Sequence, residues 1–538
     1  MNANHPFVNI AHKLGTNQSP LEGIYRRMQD KHLFMLAYGN LASNKGIVTK
    51  GTDNTDVVEG MSEERVDRII KSLKTKSYQW KPARRVYIPK SNGGTRPLGI
   101  PSFSDKLTQE VIRIVLEAYY EPQFRGCSHG FRARRSCHTA LNEISMTWTG
   151  TKWFIEGDIK GCFDNIRHDK LLEILSKNIK DQQFIGLIAR MLKAGYMEEW
   201  KYNITHSGTP QGGVVSPLLA NIMLHELDKW VEDELIPQHT KGERRTENQE
   251  WWSQRRMYKY NRKRYRETGK PEYQEKAEER RRKMDETSPY DANDPDYRRL
   301  RYIRYADDYL FGFIGPKEEA EIIKEKVRVK LEEIGLTQSE EKTKITNAKD
   351  ERAKFLGYEI GTSRDGRKSY AKVNGRSYRR RSTQGTITLH VPKEVTRKYV
   401  KRYSKDGKPF LKFSLTNASD FEIIQNYGEV WRGVVNYYMP AHDVSVRLGR
   451  VQHTMLESCV RTLAAKYQVT RAEIFRKYYG ETSTGKRGLK CQFTKNGKTY
   501  TTEFGEVQIK AGKWASSVID RKDQYIQVYR GTELRQRL

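Results

Sequence analysis

The stretch YIRYADDYLFGF, residues 302–313, decides the fold of this chain. Two adjacent carboxylates, Asp307 and Asp308, lie between flanks that are mostly apolar and aromatic. Such flanks favour β-strand, so the stretch predicts a buried hairpin with the acids at its tip. Two buried charges are costly there unless they are paired or bind metal. A divalent cation at the tip removes that cost, and a pair of cations makes a phosphoryl-transfer site.

The other residues set the scale. A chain of 538 residues exceeds one domain, and about three or four are expected. It carries 98 Lys and Arg against 67 Asp and Glu, a net charge of +31. A surplus of that size fits a polyanionic partner held through its phosphates. The plainer reading is a soluble basic protein with scattered lysines. No apolar run approaches the roughly 20 residues that span a bilayer, so no membrane partner is expected. The N-terminal MNANHPFVNIAHKLG lacks the apolar region of a secretory signal. Cys127, Cys137, Cys162, Cys459 and Cys491 form no Cys-x-x-Cys pair. That disfavours a disulfide framework or a clustered zinc site. A reducing compartment fits, the bacterial cytoplasm first and an organelle second.

Outward from the hairpin, the chain alternates helices and strands. Residues 62–80 predict a helix capped by Ser62. RRVYIPKSNGGTRPLGIP (84–101) predicts two strands around a Gly-rich turn, and Ser104 is the expected cap of a helix through Tyr120. WFIEGDIKGCFDNI (153–166) reads as a buried strand ending in acids, followed by a helix. GTPQGGVVSPLLANIMLHELDKWV (208–231) reads as a Gly-rich loop and a helix, with Ser216 as cap and Pro217 as first residue. Residues 241–300 hold 18 Lys and Arg and 13 Asp and Glu. Mixed signs at that density predict an insertion of solvated helices, not one dedicated binding face, and leave RNA contact open. Residues 361–400 hold 11 Lys and Arg against 2 Asp and Glu, centred on RSYRRRS (376–382), a predicted domain junction. Ile423, Ile424, Tyr427, Val430, Trp431, Val434 and Val435 recur at helical spacing. The C-terminal residues read as basic strands with turns at Asn496-Gly497 and Ala511-Gly512.

A template-directed polymerase needs carboxylates from neighbouring strands to hold its cations rigidly. Asp158, ending WFIEGD, is the natural partner of Asp307 and Asp308. Asp164 and Asp169 compete for that role, with helix capping the preferred reading of Asp169.

The ordered blocks carry a resemblance. RRVYIPKSNGGTRPLGIP is followed by SHGFRARRSCHTAL (128–141), EGDIKGCFDNI (156–166), SGTPQGGVVSPLLANIMLHELD (207–228), RYADD (304–308), LTQSEEKTKIT (336–346) and FLGYEI (355–360). Together they resemble the polymerase motifs of group II intron-encoded reverse transcriptases, or intron maturases. QNYGEVWRGVVNYY (425–438) resembles that family's thumb. The resemblance implies an α+β fold: a right-hand polymerase with fingers and an antiparallel palm sheet flanked by helices, a helical thumb and a small basic C-terminal DNA-binding region. The implied division is an N-terminal extension over 1–85, fingers and palm over 86–365 with the insertion at 237–300, a thumb or maturase domain over 366–480, and a DNA-binding region over 481–538.

The implied activity is RNA-directed DNA synthesis with two Mg2+ ions, dNTPs, and an RNA template with a DNA primer. The protein would bind its parent intron RNA as a ribonucleoprotein, promote splicing, and copy the intron at a target DNA by target-primed reverse transcription during retrohoming. Asp158, Asp307 and Asp308 fall on the family's metal-binding triad. Phe163 falls where a ring beneath the incoming sugar selects dNTP over rNTP; core packing is the alternative. Lys90 and Arg96 lie in the fingers block, where cations close over a triphosphate. Gln211 hydrogen-bonds near the nucleotide, and Lys342 matches a lysine near its phosphates. Phe355-Leu356-Gly357 resembles a primer-supporting turn. Arg376, Arg379, Arg380 and Arg381 suit RNA backbone, and Tyr437 and Tyr438 read either as RNA-stacking rings or as core.

The Cys/His-rich endonuclease that ends many family members has no counterpart here, which suggests an endonuclease-less or truncated form. Two other readings share part of the pattern: a splicing-only RNA-binding maturase, and another bacterial reverse transcriptase such as a retron enzyme.

Overall fold

The apolar flanks of the two acids form the predicted hairpin. In this computed structural model, residues 5–507 and 509 are described except 43, 90–92, 199–200, 204–207, 209–211, 288, 292–293, 364–367, 374–375 and 383–384. Four strands make the central sheet: β1 (Trp153–Asp158), β2 (Arg299–Tyr305), β3 (Asp308–Ile314) and β4 (Lys344–Asn347). Their order is β2-β3-β1-β4, and every pairing is antiparallel.

Both faces of this sheet are buried. Successive side chains of a strand point to opposite faces. Tyr309, Phe311 and Phe313 join one core with Leu107 and Val111 of the helix Phe103–Tyr120 and Met223 of the helix Ser216–Trp230. Phe154, Ile303 and Leu310 join a second core. Two buried faces explain why YLFGFI reads as an unbroken apolar run. Gly312 leaves room on the second face, because a Cβ there would lie 2.5 Å from the Trp148 ring.

The second core is completed from the C-terminal third of the chain. The predicted helix is α3 (Asp420–Tyr438), so numbered because two helices of the insertion precede it, α1 (Gln249–Thr268) and α2 (Pro271–Glu286). Ile423, Ile424, Tyr427, Trp431, Val434 and Val435 are buried, and Val430 is partly so. Tyr438 is buried among them, and Tyr437 is half-buried against the same core and donates to the Leu356 carbonyl at 2.7 Å. The hairpin Arg487–Lys495/Lys498–Phe504 adds Leu489 and Phe504 to this core. It turns at Asn496-Gly497 with φ of +52° and +74°, as that dipeptide predicts.

Local expectations shift by a residue or two. The helix through Tyr120 is capped by Ser102, whose Oγ accepts from Asp105 N; Ser104 lies inside the first turn and donates to Asp56 at 2.9 Å. Val215 precedes the helix that Ser216 and Pro217 open. The helix after Ser62 ends at Lys74, short of residue 80. The run 376–382 forms a strand paired with Lys368–Val373; its side chains, including Arg376, Arg379, Arg380 and Arg381, lie outside the described residues, as do 511–538. Among the described residues no helix is long and apolar enough to cross a membrane.

Candidate polymerase active site

The register of β1 and β3 sets Asp158 directly opposite Asp308. Opposed residues of an antiparallel pair hold their Cβ atoms about 4.5–5.5 Å apart. Asp307 occupies the turn between β2 and β3, and its carbonyl accepts from Ile159 N at 3.3 Å. Ala306 precedes it at φ +56°. That left-handed conformation costs a non-glycine residue about 1–2 kcal/mol, so something must hold it. Gly130 presses on the turn, since a Cβ there would meet Ala306 N at 2.3 Å.

Arg304 holds the turn from below. Its side chain is fully buried, and it donates from Nη1 to the Ala306 carbonyl at 2.9 Å and to Asn221 Oδ1 at 3.1 Å. Nε and Nη2 grip both oxygens of the equally buried Asp228, at 2.8 and 2.6 Å. Nη2 also reaches Ser128 Oγ at 2.9 Å, and Tyr302 donates to Asp228 at 3.0 Å. Bidentate pairing is the geometry in which a buried arginine is best satisfied. The sequence reading overlooked both residues. The signal was present: an arginine inside an apolar strand needs a buried partner, and the LHELD segment ends in one.

The three candidate acids share a crowded electrostatic environment. Burial, then the Asp307 and Asp158 charges, push the Asp308 carboxyl up to about 7. Burial and Asp158 raise Asp307 as well, while Lys342 and Arg96 pull it back. Lys342 Nζ donates to Asp158 Oδ2 at 2.7 Å. Arg96, on the strand Thr95–Ile100, is therefore close enough to act on the acids.

As they lie, no three His, Cys, Asp or Glu side chains among the described residues form a ready-made metal cage. The donor chemistry nonetheless fits a divalent cation. Asp158 and Asp308 are within hydrogen-bonding reach, Asp307 feels the Asp158 charge and acts in turn on Asp308, and the Lys342 ammonium donates to Asp158.

Phe163 is half-buried in the short helix Cys162–Asn165 and meets the exposed Phe131 edge-on at 6.1 Å. Phe131 has φ +57°, an uncommon conformation that the sequence reading did not single out. Lys90 and Gln211 lie outside the described residues. Near Gln211, Gly208 docks beside the Phe163 helix: its N–H donates to the Ile166 carbonyl at 2.8 Å, and its carbonyl accepts from His168 Nε2 at 2.7 Å. Asp169 is exposed in the first turn of the helix His168–Asn178 and paired with Arg167 at 2.6 Å, away from the acids.

A raised carboxyl has a definite linkage sign. Ionising Asp308 opposes folding, so its contribution to stability is present at low pH and lost as pH rises through about 7. Without divalent cations, Asp308→Asn is expected to raise Tm at about pH 8 by about 2–4 °C, the shift that about 1 kcal/mol gives a domain of 150–250 residues. The gain should shrink at acid pH. Melts in chelator at both pH values check this, and an equal effect at both would refute the crowding.

An antiparallel sheet bearing two adjacent acids on a hairpin and a third across from them is the scaffold of a template-copying polymerase. The comparisons with known proteins agree. A family profile described as reverse transcriptase (RNA-dependent DNA polymerase) matches residues 88–250 and 277–360, and one described as type II intron maturase matches 387–513. The chain is 40% identical over 463 residues to the group II intron-encoded protein LtrA of Lactococcus lactis subsp. cremoris, covering 83% of this chain and 75% of LtrA. It is 38% identical over 459 residues to an uncharacterized 91 kDa protein in the cob intron of Schizosaccharomyces pombe, covering 84% of this chain and 54% of that protein. To protein YkfC of Escherichia coli it is 32% identical over 326 residues, 59% of this chain and 77% of YkfC.

The chain is thus an RNA-directed DNA polymerase, an enzyme class that depends on divalent metal. It belongs to the family of group II intron-encoded reverse transcriptase–maturases, which join that activity to intron splicing.

Proposed function

We propose that this protein binds its parent group II intron RNA, promotes its splicing, and copies it into DNA primed at a target site. The observation that supports this reading best is the opposition of Asp158 and Asp308 across β1 and β3, with Asp307 in the turn between β2 and β3. In this reading the central sheet is a palm, the Ala83–Pro89 and Thr95–Ile100 strands are fingers, and α3 with its neighbours is a thumb.

Asp158, Asp307 and Asp308 would hold Mg2+. Two such ions, when bound, would supply acidity to the primer 3′ hydroxyl and positive charge to the triphosphate and the leaving pyrophosphate. The protein's own groups do the positioning. The turn fixed by Arg304 and Gly130 presents Asp307 and Asp308 without reorganisation. Lys342 exchanges Asp158 for a nucleotide phosphate as the substrate enters, and Arg96 closes from the fingers. Phe163 lies under the sugar and excludes a 2′ hydroxyl. Lys90 and Gln211 complete the nucleotide pocket, and the arginines at 376 and 379–381 take RNA backbone. The work is done in a ribonucleoprotein in the bacterial cytoplasm.

The test combines copurifying RNA with primer extension. Sequencing the RNA that purifies with the protein should return one structured intron, and the RNA-free protein should extend a DNA primer on an RNA template. Phe163→Ala should raise ribonucleotide incorporation. A random RNA population would sink the intron reading, and unchanged sugar selectivity would reduce Phe163 to packing.

A further inference from the structure

The insertion's cations are divided unevenly between its two helices. α1 carries seven Lys and Arg and two Asp and Glu, a net of +5; α2 carries five and six, a net of −1. Counted over the whole insertion the segregation disappears, which is why the sequence window predicted no dedicated face. The helices pack as a hairpin. Trp251 Nε1 donates to the Met284 carbonyl at 3.0 Å, Arg280 Nη1 donates to Gln254 at 3.0 Å, and Asn261 is buried between them.

The opposite side of α1 is a row of charge. At 3.6 residues per turn, Arg256, Lys259, Lys263 and Arg266 fall within one arc, spread over about 15 Å at 1.5 Å per residue. All four are exposed, and Tyr260 beside them is 53% exposed. Lys263 reaches Glu267 at 3.8 Å. Among the described residues no carboxylate forms an ion pair with Arg256, Lys259 or Arg266. Like charges at i,i+3 and i,i+4 repel along a helix, so the row weakens the hairpin that carries it. Folding does not account for it; a polyanion lying along it does.

The insertion is also far from the catalytic tip. It rejoins the sheet through the Lys241–Arg298 bridge at the start of β2, whereas the acids follow that strand's last residue, Tyr305. Seven residues at about 3.3 Å each put the root about 20 Å from the acids.

We infer that this face of α1 binds the phosphate backbone of a paired RNA stem outside the template–primer cleft. The inference rests on the intron-RNA reading. A straight, rigid row of cations suits the straight backbone of a stem better than a flexible single strand, and phosphate and 2′-hydroxyl contacts dominate recognition of paired RNA.

The test replaces Arg256, Lys259, Lys263 and Arg266 together by Gln, an exposed and helix-compatible change. The probes are a fully paired RNA hairpin and a DNA hairpin of the same sequence, titrated over a range of salt concentrations. For the RNA hairpin, the slope of log affinity against log salt should become shallower by about 3, as expected when several phosphate contacts are lost. Primer extension on a short RNA template and helix content by circular dichroism should stay unchanged. An unchanged salt slope with the RNA hairpin overturns the inference, and so does a change confined to the DNA hairpin. Failure of the underlying reading shows separately, as no stimulation of splicing by the unaltered protein.

Discussion

Replacing Asp308 by Ala should lower DNA synthesis on an RNA template by at least about 1,000-fold while leaving intron binding and splicing intact. The acid lies opposite Asp158 and next to Asp307, and it is proposed to share the cations with them. A metal site supplies several kcal/mol of transition-state stabilisation, and each 1.36 kcal/mol is a factor of about ten in rate. Losing one proposed ligand from the centre of the set should forfeit most of that. The variant should melt no lower than the parent in chelator, because the lost carboxylate is one whose charge opposes folding. Single-turnover primer extension and a splicing assay on the same preparation separate the two activities. If synthesis survives, the acids are not the metal site. If splicing falls with it, the two functions share more than a scaffold.

The largest stability loss should come from a residue that touches no substrate. Arg304→Ala leaves Asp228 fully buried without its partner. Breaking a buried pair on one side typically costs about 3–5 kcal/mol, a large share of the roughly 5–15 kcal/mol that keeps a domain folded. The double variant Arg304→Met with Asp228→Leu removes both charges and should recover much of the loss. Its kcat should nevertheless stay depressed with little change in KM, because the Ala306 carbonyl has lost its donor and the strained turn is free to relax. Thermal melts and steady-state kinetics on the three proteins check this. Full recovery of kcat in the double variant would show that the pair serves folding alone.

The contrast between these residues shows what was legible in the sequence. Asp307 and Asp308 stand out because charge is rare inside an apolar run, and the apolar run itself fixes the strands. Asp158 stands out for the same reason. Arg304 sits in the same run, yet one more arginine among 98 basic residues draws no notice until the fold brings Asp228 beneath it from 76 positions away. Tyr437 and Tyr438 were ambiguous because a helix face shows only which residues share a side, and the partner that buries them is supplied by the strand containing Tyr358. Ser102 and Ser104 were both chemically able to cap; the choice was made by Asp56, which takes Ser104 from outside the helix. The insertion's charge asymmetry was hidden for a different reason: net charge over a long window averages two helices that the fold sets side by side.

The double-sided burial of the central sheet bears on inheritance. Phe154, Ile303 and Leu310 belong to one continuous core with Trp148 and with side chains of the maturase-matched region, among them Leu389 and Trp431. A gene shortened before that region would strip much of the core that the central sheet shares. A gene that lost the sheet would take the other share of that core with it. The two matched regions share one core, so a truncation within either exposes apolar side chains of the other.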